Sequence, residues 1–272
     1  MKKTSKKITF LGTGNADVIK YFHTSFYIQE KNRKNGVLVD TGGGAQILSQ
    51  LYSAKIPLSD IQHIIITHKH LDHVWGLFWI LRMLGSKIAK GQADGLTIYC
   101  SNDIKRIVQM CSKEILKEKI LNLFNKKIIF TVIKNDIKLK INDWPVNFFN
   151  TQDEKIEQFG FLLEFYDHTR LLCLGDTKYN DKLKKYSRGI NYFIHEAYCL
   201  EKDKGKFTPE KIGHSTVKEA SLNAKKIKAN NLILIHTEDV TPNKKFRYTR
   251  EAKKYFNGKT IVPNDLDVIN LT

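Results

Sequence analysis

A chain of 272 residues, 42% hydrophobic and 27% charged, can bury about three-quarters of the surface its unfolded form exposes, and this composition excludes disorder and collagen-like repetition. No apolar run approaches the ~18–20 residues that a membrane helix needs, so no membrane partner is expected. Forty-five basic against 28 acidic residues leave a formal charge of +17, which favours polyanions, but only seven of the basic residues are Arg, the side chain that grips phosphate bidentately.

In chain order, a lysine-rich start is followed by Gly12, Gly14, Asn15 and Asp17. These break any apolar stretch before it reaches export length, and a cytoplasmic location is expected. Residues 8–11, 25–29 and 37–40 read as strands separated by Gly, Asn and Lys turns, with a hairpin among them. Gly42-Gly43-Gly44 leads into a helix with Ile47, Leu48, Leu51 and Tyr52 at the 3.6-residue period, and a buried strand follows at 63–66. From Val74 a stripe of Val74, Leu77, Phe78 and Leu81, with Trp75 and Trp79 beside it, predicts a helix packed on most sides.

A strand at 96–100 precedes one or two basic amphipathic helices over 104–124, which carry Lys105, Arg106, Lys113, Lys117 and Lys119. Strands are then predicted at 127–132, 137–141, 146–149, 159–165, 171–174, 192–195 and 232–235, the last after a helix over 215–229. Neither a Pro/Ser-rich linker nor a repeat interrupts this order, so a single α/β domain over 1–272 with two sheets is expected. Cys100, Cys111, Cys173 and Cys199 form no C-x-x-C pair and read as reduced thiols.

Chemistry concentrates in Thr67-His68-Lys69-His70-Leu71-Asp72-His73, between the strand at 63–66 and the helix from Val74. In an extended segment His68 and His70 project to one side, while Asp72 and His73 on the next turn can serve a second ion. A solvated loop would explain one histidine, but it does not explain four metal-competent side chains within six residues.

The pattern H-x-H-x-D-H resembles the signature of the metallo-β-lactamase superfamily of dinuclear metallohydrolases, and the resemblance runs from about Ile8 to Leu271. It implies a four-layer αβ/βα sandwich. It also implies two divalent metal ions, zinc first with manganese or iron as alternatives, that share a bridging hydroxide. His70 in place of Glu separates the chain from the redox diiron branch. By the same resemblance His68, His70, Asp72, His73, Asp176 of Gly175-Asp176-Thr177 and His236 at the end of 232–236 are metal ligands. Asp40 of Asp40-Thr41-Gly42 would orient one of them.

One family histidine is missing. Gln152 stands in its place, so Gln152 or Asp153 would be a weak ligand and the first metal weakly held. His168 is an alternative position but reads as a hairpin-turn residue.

His195-Glu196-Ala197 and, eighteen residues after Glu196, His214-Ser215-Thr216 resemble ribonuclease Z. That likeness implies a phosphodiesterase in which Asp72, Glu196 and His214 are catalytic, His214 protonating the leaving oxygen. Ser215 is expected to cap the helix that follows, and His195 to face the other side of its strand. Ribonuclease Z carries an arm for transfer RNA between the third histidine and the bridging Asp, and the 24 residues from Gln152 to Asp176 leave no room for one. RNA is therefore one candidate substrate. The others are a small cyclic or phosphonate-derived phosphodiester and a carboxyl ester or lactone. A degenerate nucleotide- or RNA-binding protein is the non-enzyme alternative, and a homodimer is a candidate assembly. Gly12-Thr13-Gly14 lacks the third Gly of a dinucleotide loop and reads as a turn.

Overall fold

The N-terminal apolar runs form two antiparallel pairings, where one hairpin is expected, in a computed structural model that describes residues 6–30, 35–153 and 155–272. Most of the lysine-rich start lies outside the described residues. β1 (Lys6–Gly12) pairs antiparallel with β2 (Ser25–Glu30), and β2 with β3 (Gly36–Val39). β4 (Ile61–Ile65), β5 (Leu96–Cys100) and β6 (Ile128–Val132) then continue the sheet in parallel.

Parallel neighbours require crossovers. These are α1 (Gln46–Ser53), α2 (Leu71–Val74) with α3 (Gly76–Ala89), and α4 (Asn102–Ile115) with α5 (Glu118–Leu121). β14 (Val268–Leu271) returns to pair antiparallel with β1. Leu38, Ile64, Ile98 and Ile128 of this sheet pack with Ile47, Leu77, Leu81 and Val108 of its helices. These elements belong to a first compact unit of Met1–Gly12, Phe22–Lys134 and Asp265–Thr272.

The helix predicted from Val74 divides at Trp75; α3 buries Leu77, Phe78, Ile80, Leu81, Leu84 and Ile88, and one stripe is left uncovered. Trp75, Trp79 and Met83 are 41%, 40% and 43% exposed. They recur every four residues on the face opposite Leu77, Leu81, Leu84 and Ile88, which are buried in the core.

In the second unit, Thr13–Tyr21 with Asn135–Asn264, β7 (Ile137–Ile141), β8 (Trp144–Asn150), β9 (Phe159–Glu164) and β10 (Arg170–Cys173) form an antiparallel meander. β11 (Tyr192–Glu196), β12 (Asn231–Ile235) and β13 (Lys259–Ile261) add in parallel beside β10. The connections include α6 (Lys204–Phe207), α7 (Pro209–Ile212), α8 (Val217–Lys226) and α9 (Lys244–Ala252). Leu172, Phe193, Leu232 and Leu234 pack with Val217, Ala220, Ala224 and Tyr248.

Thr216, not Ser215, caps α8. Its hydroxyl accepts from the Glu219 amide while the Glu219 carboxylate accepts from the Thr216 amide, a reciprocal capping box. The extra residue is spent because the Ser215 amide is committed elsewhere, to Glu196.

None of the four cysteines is in a disulfide. Burial pushes the thiols of Cys100 and Cys199 up to about 12, which leaves both protonated and unreactive. Among the described residues no helix is long and apolar enough to cross a membrane.

Candidate functional site

The first unit builds its donors on one loop. After β4 the chain passes through Thr67–His70 in extended form and turns into α2, with His70 at the helix entrance. Asp40, at the end of β3, adopts a left-handed φ of 53°. Its carboxylate there takes hydrogen bonds from the Thr67 amide (2.8 Å), the Thr67 hydroxyl (2.8 Å) and His73 Nδ1 (2.8 Å). The amide and hydroxyl of Thr41 both donate to the His73 carbonyl, each at 2.8 Å.

His73 is thus held at ring and backbone, and the proton on Nδ1 leaves Nε2 presenting a lone pair. That nitrogen faces Asp72 Oδ2 at 3.1 Å. The His68 ring lies tilted against that of His73, 4.1 Å between centroids, and its Nε2 is 3.0 Å from His70 Nδ1. His68 and His73 are fully buried, Asp72 is buried, and His70 is exposed.

The second unit assembles its residues from the ends of neighbouring strands. β10, β11 and β12 run parallel with Cys173 opposite Ile194 and Glu196 opposite Ile235, so Asp176, Glu196 and His236 emerge at one edge. His236, at a left-handed φ of 56°, places Nε2 3.2 Å from Asp176 Oδ2. Each unit therefore holds a buried carboxylate–imidazole pair whose atoms are suited to a divalent cation.

Glu196 is fully buried. One of its oxygens accepts from the Ser215 amide at 2.5 Å, and the other faces His214 Nδ1 at 3.6 Å. The His214 ring stacks on Tyr198 at 5.1 Å and lies 5.1 Å from the His236 ring. Tyr198 donates its hydroxyl to Asp17, and burial followed by that contact raises its pKa, so the phenol stays protonated.

His195 points the other way. It is fully buried, its Nδ1 donates to the Glu196 carbonyl and its Nε2 meets Asn223. Burial lowers its pKa and keeps the ring neutral.

Gln152 is turned aside. Exposed at a φ of 61°, it directs its amide and side-chain nitrogen to Asn150 Oδ1 at 2.7 and 3.3 Å. Asp153 caps the turn through the amides of Lys155 and Ile156, with its other oxygen 3.4 Å from Thr177 Oγ1. Both residues line a cavity of about 270 Å³ with Lys155, Thr177, Lys178 and Lys211. His168 is 86% exposed in the β9–β10 turn and pairs with Glu164.

Sequence reasoning missed the support given by Thr41 and the Tyr198 platform. The signal for Tyr198 was its place two residues beyond Glu196 in the same extended run.

A ribonuclease Z of Thermococcus sibiricus is 29% identical over 311 aligned residues, which cover 97% of this chain and 96% of that protein. Among solved structures, the metallo-β-lactamase fold protein YhfI from Bacillus subtilis superposes with a TM-score of 0.76 at 19% identity, covering 98% of this chain and all of that one. A diphosphatase from the PhnP family superposes at 0.75 and 17%, covering 98% and 97%. The chain is thus ribonuclease Z-like, with the metallo-β-lactamase fold. Within it, residues 6–256 match the profile described as anti-Pycsar protein Apyc1, and the chain belongs to that family.

Proposed function

We propose that this chain is a metal-dependent phosphodiesterase that acts on compact phosphodiesters. His68, His70, Asp72 and His73 of the first unit and Asp176 and His236 of the second serve as ligands of two divalent cations, zinc being the expected ion and manganese or iron the alternatives. The donor chemistry supports this reading: imidazole nitrogens and carboxylate oxygens suit such ions, and each unit presents the two types side by side, at 3.1 and 3.2 Å. We treat 1–272 as one functional domain, cytoplasmic, with a homodimer as the assembly to test by light scattering.

Bound cations would supply Lewis-acid stabilisation of the phosphoryl charge and a nucleophile at neutral pH. The residues supply the rest. Asp40 keeps the His73 proton on Nδ1. Asp72 orients the attacking water through its carboxylate. Glu196, fixed by the Ser215 amide, holds the Nδ1 edge of His214, and Tyr198 fixes the ring plane. His214 can then deliver its Nε2 proton to the departing oxygen.

The observation that carries the compact-substrate reading is the path from Gln152 to Asp176. Its described residues are spent on a capped turn, β9, the turn around His168, and β10, which leaves none for an arm. RNA is the second reading, favoured by Arg106, Lys113, Lys117 and Lys119, which stand exposed on α4, α5 and the link between them.

One assay separates the readings: metal-loaded protein with bis-p-nitrophenyl phosphate, a small cyclic phosphodiester, an RNA carrying a 3′ trailer, and a lactone. Chelator-sensitive hydrolysis of the first two is the expected result. Cleavage of the trailer alone would move the assignment to RNA, cleavage of the lactone alone would overturn it, and inertness with no bound metal would leave a binding protein.

A further inference from the structure

His23 has no part in the chemistry above, yet two glycines of the motifs around it are shaped by its presence. A Cβ on Gly12 would stand 2.1 Å from the His23 carbonyl oxygen, and a Cβ on Gly43 would stand 2.7 Å from His23 Nδ1. Real contacts of that length do not occur, so Gly12 gives room to the backbone of His23 and Gly43 to its ring. The same point above Gly43 is 3.6 Å from Asp72 Cα, which seats the imidazole beside the donor loop of the first unit.

Nδ1 is shielded from solvent and has no hydrogen-bond partner among the described residues. A buried N–H without an acceptor is rarer and costlier than a buried lone pair without a donor, so the ring carries its proton on Nε2. The residue as a whole is half-buried, and the edge that reaches solvent is the one bearing Nε2. The result is a hydrogen-bond donor of fixed orientation next to Asp72.

We propose that His23 is a substrate-binding residue whose Nε2–H donates to a non-bridging phosphoryl oxygen of the phosphodiester. The assignment rests on the phosphodiesterase reading and adds to it the group that seats the anion before attack. Loss of a donor matched to an anionic oxygen should weaken binding by roughly tenfold or more.

The test is steady-state kinetics of His23→Ala and His23→Gln on bis-p-nitrophenyl phosphate, with metal content and melting temperature measured on the same samples. For His23→Ala, KM is expected to rise about tenfold while metal content is retained. For His23→Gln, whose amide nitrogen reaches the position of Nε2, most of the loss should be recovered. Gly43→Ala, which displaces the ring without removing it, should reproduce the rise in KM.

A His23→Ala KM within about twofold of the parent, no recovery with Gln, or loss of metal would each overturn the assignment. Inorganic phosphate is the independent probe, titrated while the imidazole ¹H–¹⁵N signal absent from His23→Ala is followed. A shift in that signal is expected, and its absence overturns the role of His23. If the unaltered protein turns over no phosphodiester but the signal still shifts, the activity reading fails and the anion contact stands.

Discussion

The two units prepare their donors in opposite ways. In the first, His68, His70, Asp72 and His73 lie within six consecutive residues and are ordered by short-range contacts, with Asp40 and Thr41 as anchors. In the second, Asp176 and His236 follow β10 and β12, with Glu196 at the end of β11 between them, and what aligns the three is the pairing register of those strands. A local loop can be tuned by one neighbour, whereas a strand-end set moves only if the sheet moves. Damage to the first should therefore be graded, and loss of a donor from the second abrupt.

The sharpest break in this contrast would come from Asp176→Ala. At least about a thousandfold loss of kcat/KM with loss of metal is expected, read by turnover and elemental analysis; unchanged turnover would remove Asp176 from the donor set. His214→Ala should lower kcat by about a hundredfold to a thousandfold with metal retained, and depleted metal would make His214 a ligand instead of an acid. Asp40→Ala, which frees the His73 ring but removes none of the proposed ligands, should weaken metal affinity by about tenfold to a hundredfold, measured by chelator competition.

His195 allows a pH test of the strand-end region. Burial lowers its pKa in the folded chain below the 6.5 of the unfolded one. The stabilising contribution is therefore complete above 6.5 and is lost as pH falls toward the folded value, at up to about 1.4 kcal/mol per pH unit. Melting temperatures of His195→Gln should fall less steeply than those of the parent below that pH. The smallest effect belongs to Gln152→Ala: its amide is occupied with Asn150, so metal content should stay within about twofold, and a larger drop would restore Gln152 to the ligands.

The N-terminal hairpins and the loop at 67–73 were legible because their signals are contiguous: short apolar runs bounded by Gly, and donors in immediate succession. Asp176 and His236 were readable only through the resemblance, since a Gly-Asp-Thr turn and one terminal histidine carry little alone. α9 escaped because it buries only Lys244, Tyr248 and Ala252 along an otherwise charged helix, and β13 because three residues are too few to show a period. The bond between Asp40 and His73 spans 33 positions, and nothing local to either residue announces it. The exposure of Trp75 and Trp79 was unreadable for a different reason: aromatic side chains at helical spacing mark a face, but not whether that face is covered.

Asp40 and His236 both sit in left-handed backbone conformations, at φ of 53° and 56°, where a glycine would rest more comfortably by about 1 kcal/mol. The molecule accepts that backbone cost at two spots to aim a carboxylate and an imidazole. At position 40 the cost is more than offset, because Gly there would leave the Thr67 amide, the Thr67 hydroxyl and the His73 ring without their acceptor. A library selected only for survival at high temperature should therefore keep Asp at position 40, and its hardiness there comes from the same bonds that orient His73.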